Sequence, residues 1–170
     1  FKCLPDGTIM FAEYTRPCVE TCNAWKVTGN LLNADNWIVM HSQTLSGHPE
    51  YGVKHYHGIM HDHYTGVLYL LTGDDDDGAA VDYSTDNGET WTRFSVTIDG
   101  VQHTTSEKYF RIVNLLFTKD YIYWAGDTAV SAYHKVWRGV RNVNGVLDIE
   151  HVEIIANLPV TAKDGRRMIA

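Results

Sequence analysis

His55, His57, His61 and His63 recur at every second position, the spacing at which an unbroken strand turns four side chains to one side. Imidazoles aligned in that way would form a metal comb. The segment Asp62-His63-Tyr64-Thr65-Gly66 is a turn signal, however, and it interrupts the strand. His61 and His63 are therefore expected at the opposite end from His55 and His57, which excludes a four-histidine site. His55 and His57 remain as a polar lining or a metal pair, and the lining is the favoured reading.

Asp74, Asp75, Asp76 and Asp77 are adjacent. Like charges this close perturb one another unless a cation or an arginine sits nearby. The run reads as an acidic, solvated loop or as a loop that takes a hard cation such as calcium through its oxygens. No other cofactor and no further metal is expected. Asp74, Asp75 and Asp127 are the candidate catalytic carboxylates, since two of them ~5–10 Å apart would suit glycoside hydrolysis. Arg16 and Arg111 are candidates for gripping an anionic group in the two-pronged manner that guanidinium allows. Tyr14, Tyr109, Trp124 and Tyr133 offer rings on which a sugar can stack. Trp124 alternates with Tyr121 and Tyr123 in an apolar run and reads as core instead.

The elements that must position these residues are strands. Aromatic and β-branched residues cluster in short runs separated by Gly, Asp and Asn, an all-β signature, and no stretch shows helical periodicity. The runs are Thr8–Tyr14, Ala24–Thr28, Trp37–Ser42, Gly58–His61, Val67–Thr72, Ala79–Tyr83, Thr92–Ile98, Ile112–Phe117, Tyr121–Ala125, Ala132–Arg138 and His151–Ile155. They make about three sets of four with one missing at the front. Two stretches repeat: each has an apolar strand, a polar turn, a second apolar strand and a closing Gly-Asp. The closing pairs start at Gly73 and Gly126, 53 residues apart, close to the ~40–50 residues of a propeller blade.

The turn between the sixth and seventh of these runs carries the fullest local chemistry. Residues 84–91 read Ser-Thr-Asp-Asn-Gly-Glu-Thr-Trp. Ser84 and Asp86 can fold their oxygens onto backbone N–H groups, Gly88 can take a positive φ, and Trp91 can pin the turn to a core. The pattern S-x-D-x-G-x-T-W resembles the Asp-box, or BNR repeat, of sialidase-like β-propellers at every fixed position. That resemblance implies an all-β fold of about three four-stranded blades, a half propeller or fragment of a six-bladed protein. The expected layout is one Asp-box propeller region over 1–170, with a partial blade at 1–50, the Asp-box blade at 51–104 and a third blade at 105–160. Three blades do not close a ring, because typical propellers need about four to eight. Exposed edge strands invite association, so a homo-oligomer or missing blades are expected.

Topology then sorts the candidates. In a blade whose strands run outward from the axis, the second-to-third and fourth-to-first connections share one end, and the Asp-box lies at the other. In proteins of this resemblance the box is structural and ligands bind at the first end. There the reading places Glu13, Tyr14 and Arg16 from the first blade, His55, His57 and Asp74–Asp77 from the second, and Arg111, Asp127 and Thr128 from the third. The resemblance implies a glycan-directed protein, either an exo-sialidase-like glycoside hydrolase or a non-catalytic carbohydrate- or protein-binding module, or an inactive fragment. It implies catalysis by Asp74, Asp75 or Asp127, and substrate binding by Arg16, His55, His57, Arg111 and Tyr14. The Arg-Ile-Pro signature of sialidases is absent, since Arg16 precedes Pro-Cys and Arg111 precedes Ile-Val, and no tyrosine nucleophile motif stands out.

Bulk properties set outer limits. A chain of 170 residues buries about two thirds of its unfolded surface, enough for a core. The net charge of −7 without a Lys/Arg cluster argues against nucleic acid and anionic membrane as partners and for a neutral, cationic or metal-bridged ligand; that the ligand is a glycan or other small molecule is what the resemblance implies. No apolar run approaches the ~20 residues of a spanning helix, so a soluble protein is expected. The chain starts at Phe1 without a signal segment, so its native start is expected upstream or removed; an extracellular or periplasmic location rests on the resemblance alone. Cys3, Cys18 and Cys22 allow one local disulfide and read as thiols rather than a zinc site. Phosphate loops, Ser/His/Asp arrangements and cysteine nucleophiles are absent. Glu107-Lys108 and the Arg138–Arg141 group read as solvated charge, and the run from Lys163 to Arg167 as a blade connection.

Overall fold

The computed structural model describes residues 1–14, 21–44, 55–73, 78–98, 101–104, 107–127 and 134–158. The protein is all-β. Three four-stranded antiparallel meanders follow one another along the chain, and among the described residues no sheet closes on itself. Blade one comprises β1 (Lys2–Cys3), β2 (Ile9–Ala12), β3 (Thr21–Val27) and β4 (Trp37–Thr44). Blade two comprises β5 (Tyr56–His61), β6 (Leu68–Thr72), β7 (Ala80–Ser84) and β8 (Thr92–Arg93). A hairpin of β9 (Val96–Ile98) and β10 (Val101–His103) and one helical turn, α1 (Glu107–Phe110), lead into blade three. Blade three comprises β11 (Leu116–Phe117), β12 (Ile122–Ala125), β13 (Lys135–Arg141) and β14 (Leu147–Asn157).

Strand β6, Leu-Tyr-Leu-Leu-Thr, shows why the blades stack. All five residues are buried, and alternation sends Leu68 and Leu70 one way, Tyr69 and Leu71 the other. Leu68 and Leu70 join Met10, Ala24 and Ile59 in a core shared with blade one. Tyr69 and Leu71 join Phe94, Ile112, Ile122, Trp124 and Trp137 in a core shared with blade three. Each such aliphatic side chain contributes about 1.5–3 kcal/mol on leaving water, so a strand apolar on both faces must lie between two blades.

The turns behave as their residues dictate. Asp62 accepts from Tyr64 N at 3.1 Å, and Gly66 N donates to Asp62 O at 2.7 Å, closing the β5–β6 turn. His61 and His63 thus sit at the far end of blade two from His55. At the β7–β8 turn, Ser84 Oγ donates to Asp86 Oδ1 at 2.7 Å and accepts from Gly88 N at 2.9 Å. Asp86 also accepts from Thr90 N and Thr90 Oγ1. These hydrogen bonds, Thr90 first, hold the Asp86 carboxyl down at about 2. Gly88 has φ +88°, a conformation that favours glycine.

Several expected strands differ in extent. The missing front strand is β1, too short at two residues to register as a run. The run Thr92–Ile98 splits, because only Thr92–Arg93 pairs with β7 while Val96–Ile98 pairs with β10. The run Ile112–Phe117 shrinks to a bridge between Ile112 and Gly126 followed by β11. Residues 107–110 form a helical turn whose Phe110 is buried. Trp124 is core, as expected. Cys22 is disulfide-bonded and Cys3 is a free, exposed thiol. Among the described residues no helix is long and apolar enough to cross a membrane.

Candidate functional site

The end of the blades opposite the Ser84–Trp91 turn gathers the described candidates into a path across all three blades. Tyr14 follows β2, and its exposed ring lies 3.9 Å from the His55 ring, centre to centre. His55 is fully buried and its ring lies 5.2 Å from that of His57. His57 Nδ1 lies 2.9 Å from the Ile112 carbonyl of blade three, which requires the Nδ1–H tautomer or the imidazolium. The next backbone link joins the remaining pair: Asp127 N donates to Arg111 O at 2.9 Å. Tyr14, His55, His57, Arg111 and Asp127 therefore belong to one region, and Arg111 and Asp127 are each half-buried.

His57 reaches blade three because of an irregularity the sequence does not announce. Tyr56 pairs with Thr72 and Gly58 with Leu71, leaving His57 as the extra residue of a β-bulge. A bulge breaks strict alternation and re-aims a side chain. His55 and His57 thus approach each other through the bulge and not through the parity of an even strand.

Gly73 and Gly78, the described residues on either side of 74–77, are tightly specified. Gly73 has φ +83°, and a Cβ on it would fall 1.9 Å from Gly78 O. Thr72 Oγ1 donates to Gly78 O or Ala80 O, both at 3.1 Å, and accepts from Ala80 N at 3.2 Å. Gly73 N donates to His55 O at 3.3 Å, so the chain enters residues 74–77 beside His55. Asp74, Asp75 and Arg16 lie outside the described residues, as do Asp76, Asp77, Thr128 and Tyr133. Glu13 serves the structure of blade one. Its carboxylate accepts from Asn23 N at 2.8 Å and Trp25 Nε1 at 2.9 Å, and its carbonyl accepts from Tyr56 N across the blade boundary. Among the described residues no three His, Cys, Asp or Glu side chains are grouped to hold a metal.

Two polar constellations elsewhere escaped the sequence reading. Between blades one and two, buried Asp82 accepts from Arg93 Nε and Nη2, both at 2.8 Å, and from Gln43 Nε2 at 3.2 Å. His41 lies 3.9 Å from the same carboxylate and 2.7 Å from Tyr56 Oη. Burial depresses the His41 pKa below 6.5 against the pull of Asp82, and burial raises the Tyr56 phenol. The one visible hint was an aspartate inside the apolar run Ala80-Val81-Asp82-Tyr83. At the other seam, Arg141 corrects the reading of Arg138–Arg141 as solvated charge. Arg141 Nε donates to Asp62 Oδ2 at 2.6 Å, its Nη atoms donate to Lys119 O and Thr118 O, and Asp62 is fully buried. A charge in a buried turn needs a partner, and Arg141 supplies it from blade three.

No curated protein and no solved structure matches the chain. A family match runs along most of it, from residue 8 to residue 147, taking in blade one from the start of β2, all of blade two and blade three to the start of β14. The chain belongs to the DUF6242 β-propeller domain family.

Proposed function

We propose that the chain is a glycan-directed propeller module, sialidase-like in its turn chemistry, which binds a saccharide at the Tyr14 end of its blades without hydrolysing it. One observation carries the reading: an exposed Tyr14 ring backed by the buried His55 ring. A ring held by a neighbour presents a flat apolar face at small entropic cost, which is what the C–H face of a sugar needs. His57, Arg111 and Asp127, at the same end of the blades, would add hydrogen-bonding groups, and Arg111 would favour an anionic sugar. The Ser84–Trp91 hydrogen bonds support reading that turn as an Asp-box.

The test is a titration with sialyllactose and lactose, followed by calorimetry. Binding should fall tenfold or more in Tyr14→Ala and persist in Tyr14→Phe, and Arg111→Lys should weaken sialyllactose more than lactose. Failure of every saccharide to bind would overturn the reading. Turnover of an aryl sialoside or aryl glycoside, abolished by Asp127→Asn, would replace it with a hydrolase. A disulfide at Cys22 supports an oxidising, extracytoplasmic location. Exposed Ile38 and Val39 on β4, and Ile154 and Ile155 on β14, support coverage of the outer blades by further blades or a second copy. Light scattering of the chain distinguishes these two.

A further inference from the structure

Contacts run from the polar seam to the Tyr14 end through a single residue. Tyr56, 1% exposed, opens β5 of blade two and is attached in three directions. Its hydroxyl lies 2.7 Å from Nδ1 of His41, on β4 of blade one. Its backbone N donates at 3.1 Å to the carbonyl of Glu13, the residue before Tyr14. Its chain neighbour His55 carries the ring that stands 3.9 Å from the Tyr14 ring. His41 is thus one residue removed from both supports of Tyr14.

The hydrogen bond between His41 and Tyr56 has a direction that a proton reverses. Nε2 of His41 faces the Asp82 carboxylate, with Oδ2 at 3.9 Å, so the neutral ring keeps its hydrogen on Nε2 and Nδ1 accepts from the Tyr56 phenol. An imidazolium donates from both nitrogens. The phenol must then accept from Nδ1 and turn its own hydrogen away, and among the described residues His41 is the single hydrogen-bond partner of Tyr56 Oη. A buried donor without an acceptor is unfavourable, whereas a charged Nε2–H is stabilised by closing on Asp82. The ring is therefore drawn toward β7 and off Tyr56. Its surroundings set that balance: Asp82 of β7 attracts the cation and Arg93 of β8 opposes it. Burial keeps the Tyr56 phenol protonated, Trp91 meets the ring edge-on, and Ala24, opposite it on β3, is uncharged.

We propose that His41 is a proton-operated switch for the Tyr14 end: a proton on its ring reverses the bond to Tyr56, moves the ring toward Asp82 and, through Tyr56, loosens His55 from Tyr14. The Tyr14 ring is held at neutral pH and released in acid. The switch needs no ligand; only its consequence, weaker binding in acid, rests on saccharide binding at Tyr14.

The test follows the Tyr14 ring in a chain labelled with ¹³C-tyrosine, assigned with Tyr14→Phe, beside the histidine ring resonances from about pH 7.5 to about pH 5. Tyr14 should move in a step that shares its midpoint with His41, below 6.5. Tyr56→Phe keeps every histidine and removes the reversible hydroxyl, while His41→Gln removes the proton; each should shrink the Tyr14 step several-fold. A Tyr14 ring that stays in place while His41 titrates, one that follows His55 or His57 instead, or a step of full size in either variant would overturn the switch. Lactose, which carries no charge, should bind several-fold more weakly at about pH 5.5 than at about pH 7.5, and His41→Gln should narrow that ratio. Unchanged lactose affinity across an intact Tyr14 step would overturn the gating. Absence of lactose and sialyllactose binding at both pH values, with the Tyr14 step intact, would strike saccharide binding and leave the switch standing.

Discussion

Blade two faces blade one and blade three with different materials, and its two seams fail in different ways. Toward blade one, β7 presents Asp82, which gathers Arg93, Gln43 and His41 around a smaller apolar core of Met10, Ala24, Ile59, Leu68 and Leu70. Toward blade three the same strand presents Val81 and Tyr83 to a larger core containing Tyr69, Phe94, Trp124 and Trp137, inside which Leu147 N donates to Tyr69 Oη at 3.0 Å. At the margins of that core His57 Nδ1 meets Ile112 O at the Tyr14 end and Arg141 meets Asp62 at the turn end. Burial of apolar area is insensitive to pH, whereas a seam organised around a buried carboxylate depends on the protonation of everything near it. One seam supplies bulk stability and the other a conditional contact.

The sharpest way to break the contrast is at the margin of the apolar seam. Arg141→Ala leaves the Asp62 carboxylate, 0% exposed, facing the gap where its cation stood, the pair having been 10% and 0% exposed. Removing one partner of such a pair costs about 3–5 kcal/mol. Urea unfolding should show that loss, with Arg141→Lys recovering part of it; a loss under about 1 kcal/mol would mean that the apolar core alone holds this seam.

Arg93→Ala makes the matching cut in the polar seam. Its side chain is 33% exposed against 4% for Asp82, so water can partly replace the lost cation and the penalty shrinks to about 2 kcal/mol. The order Arg141→Ala worse than Arg93→Ala is the prediction, read in the same denaturant series.

What the sequence revealed and what it hid divides along the same line. The Ser84–Trp91 turn was legible because its defining contacts are local, from Ser84 to Gly88 and Asp86 to Thr90. Strand β6 was legible because an uninterrupted apolar run between turn signals has few alternatives. The separation of His61 and His63 from His55 followed from the Asp62–Gly66 turn. Asp82 with His41, and Asp62 with Arg141, were illegible because each pair spans different blades, 79 residues apart in the second case, and meets only when sheet register and blade packing are known. The bulge at His57 was hidden for a related reason: pairing Tyr56 with Thr72 and Gly58 with Leu71 is a property of two strands, and a parity count uses one. At the Tyr14 end the sequence named Tyr14, His55, His57, Arg111 and Asp127 by topology, without the contacts that join them.

The polar seam should also respond to acid. His41 has its pKa lowered by burial, with Asp82 raising it and Arg93 lowering it further; Tyr56, against Nδ1, stays protonated. The folded state therefore binds fewer protons than the unfolded state just below pH 6.5, and stability must rise with pH through that window and fall as pH drops beneath it. Urea midpoints at about pH 7.5 and about pH 5.5 should differ in the native chain and differ by less in His41→Gln, the remainder belonging to His61, whose pKa burial also lowers. A second loss belongs to Asp86, held at about 2 against 3.8. Its contribution is complete above about pH 4 and disappears as pH falls toward about 2, and Asp86→Asn should remove that lower step while sparing the histidine step above it.

The smallest cut tests whether the turn and the polar seam are one device. Trp91 Nε1 donates both within the turn, to Gly88 O at 3.2 Å, and across the seam, to Met40 O at 3.1 Å, while its ring meets His41 edge-on at 5.6 Å. Trp91→Phe keeps an aromatic body and removes only the shared donor, so the cost should be about 1 kcal/mol. If the donor couples the two, combining Trp91→Phe with His41→Gln should cost less than the sum of the single changes, because each already loosens the other's contact. Strict additivity in that double-mutant cycle would show a turn that only caps blade two, with the carboxylate of Asp82 organising the seam unaided.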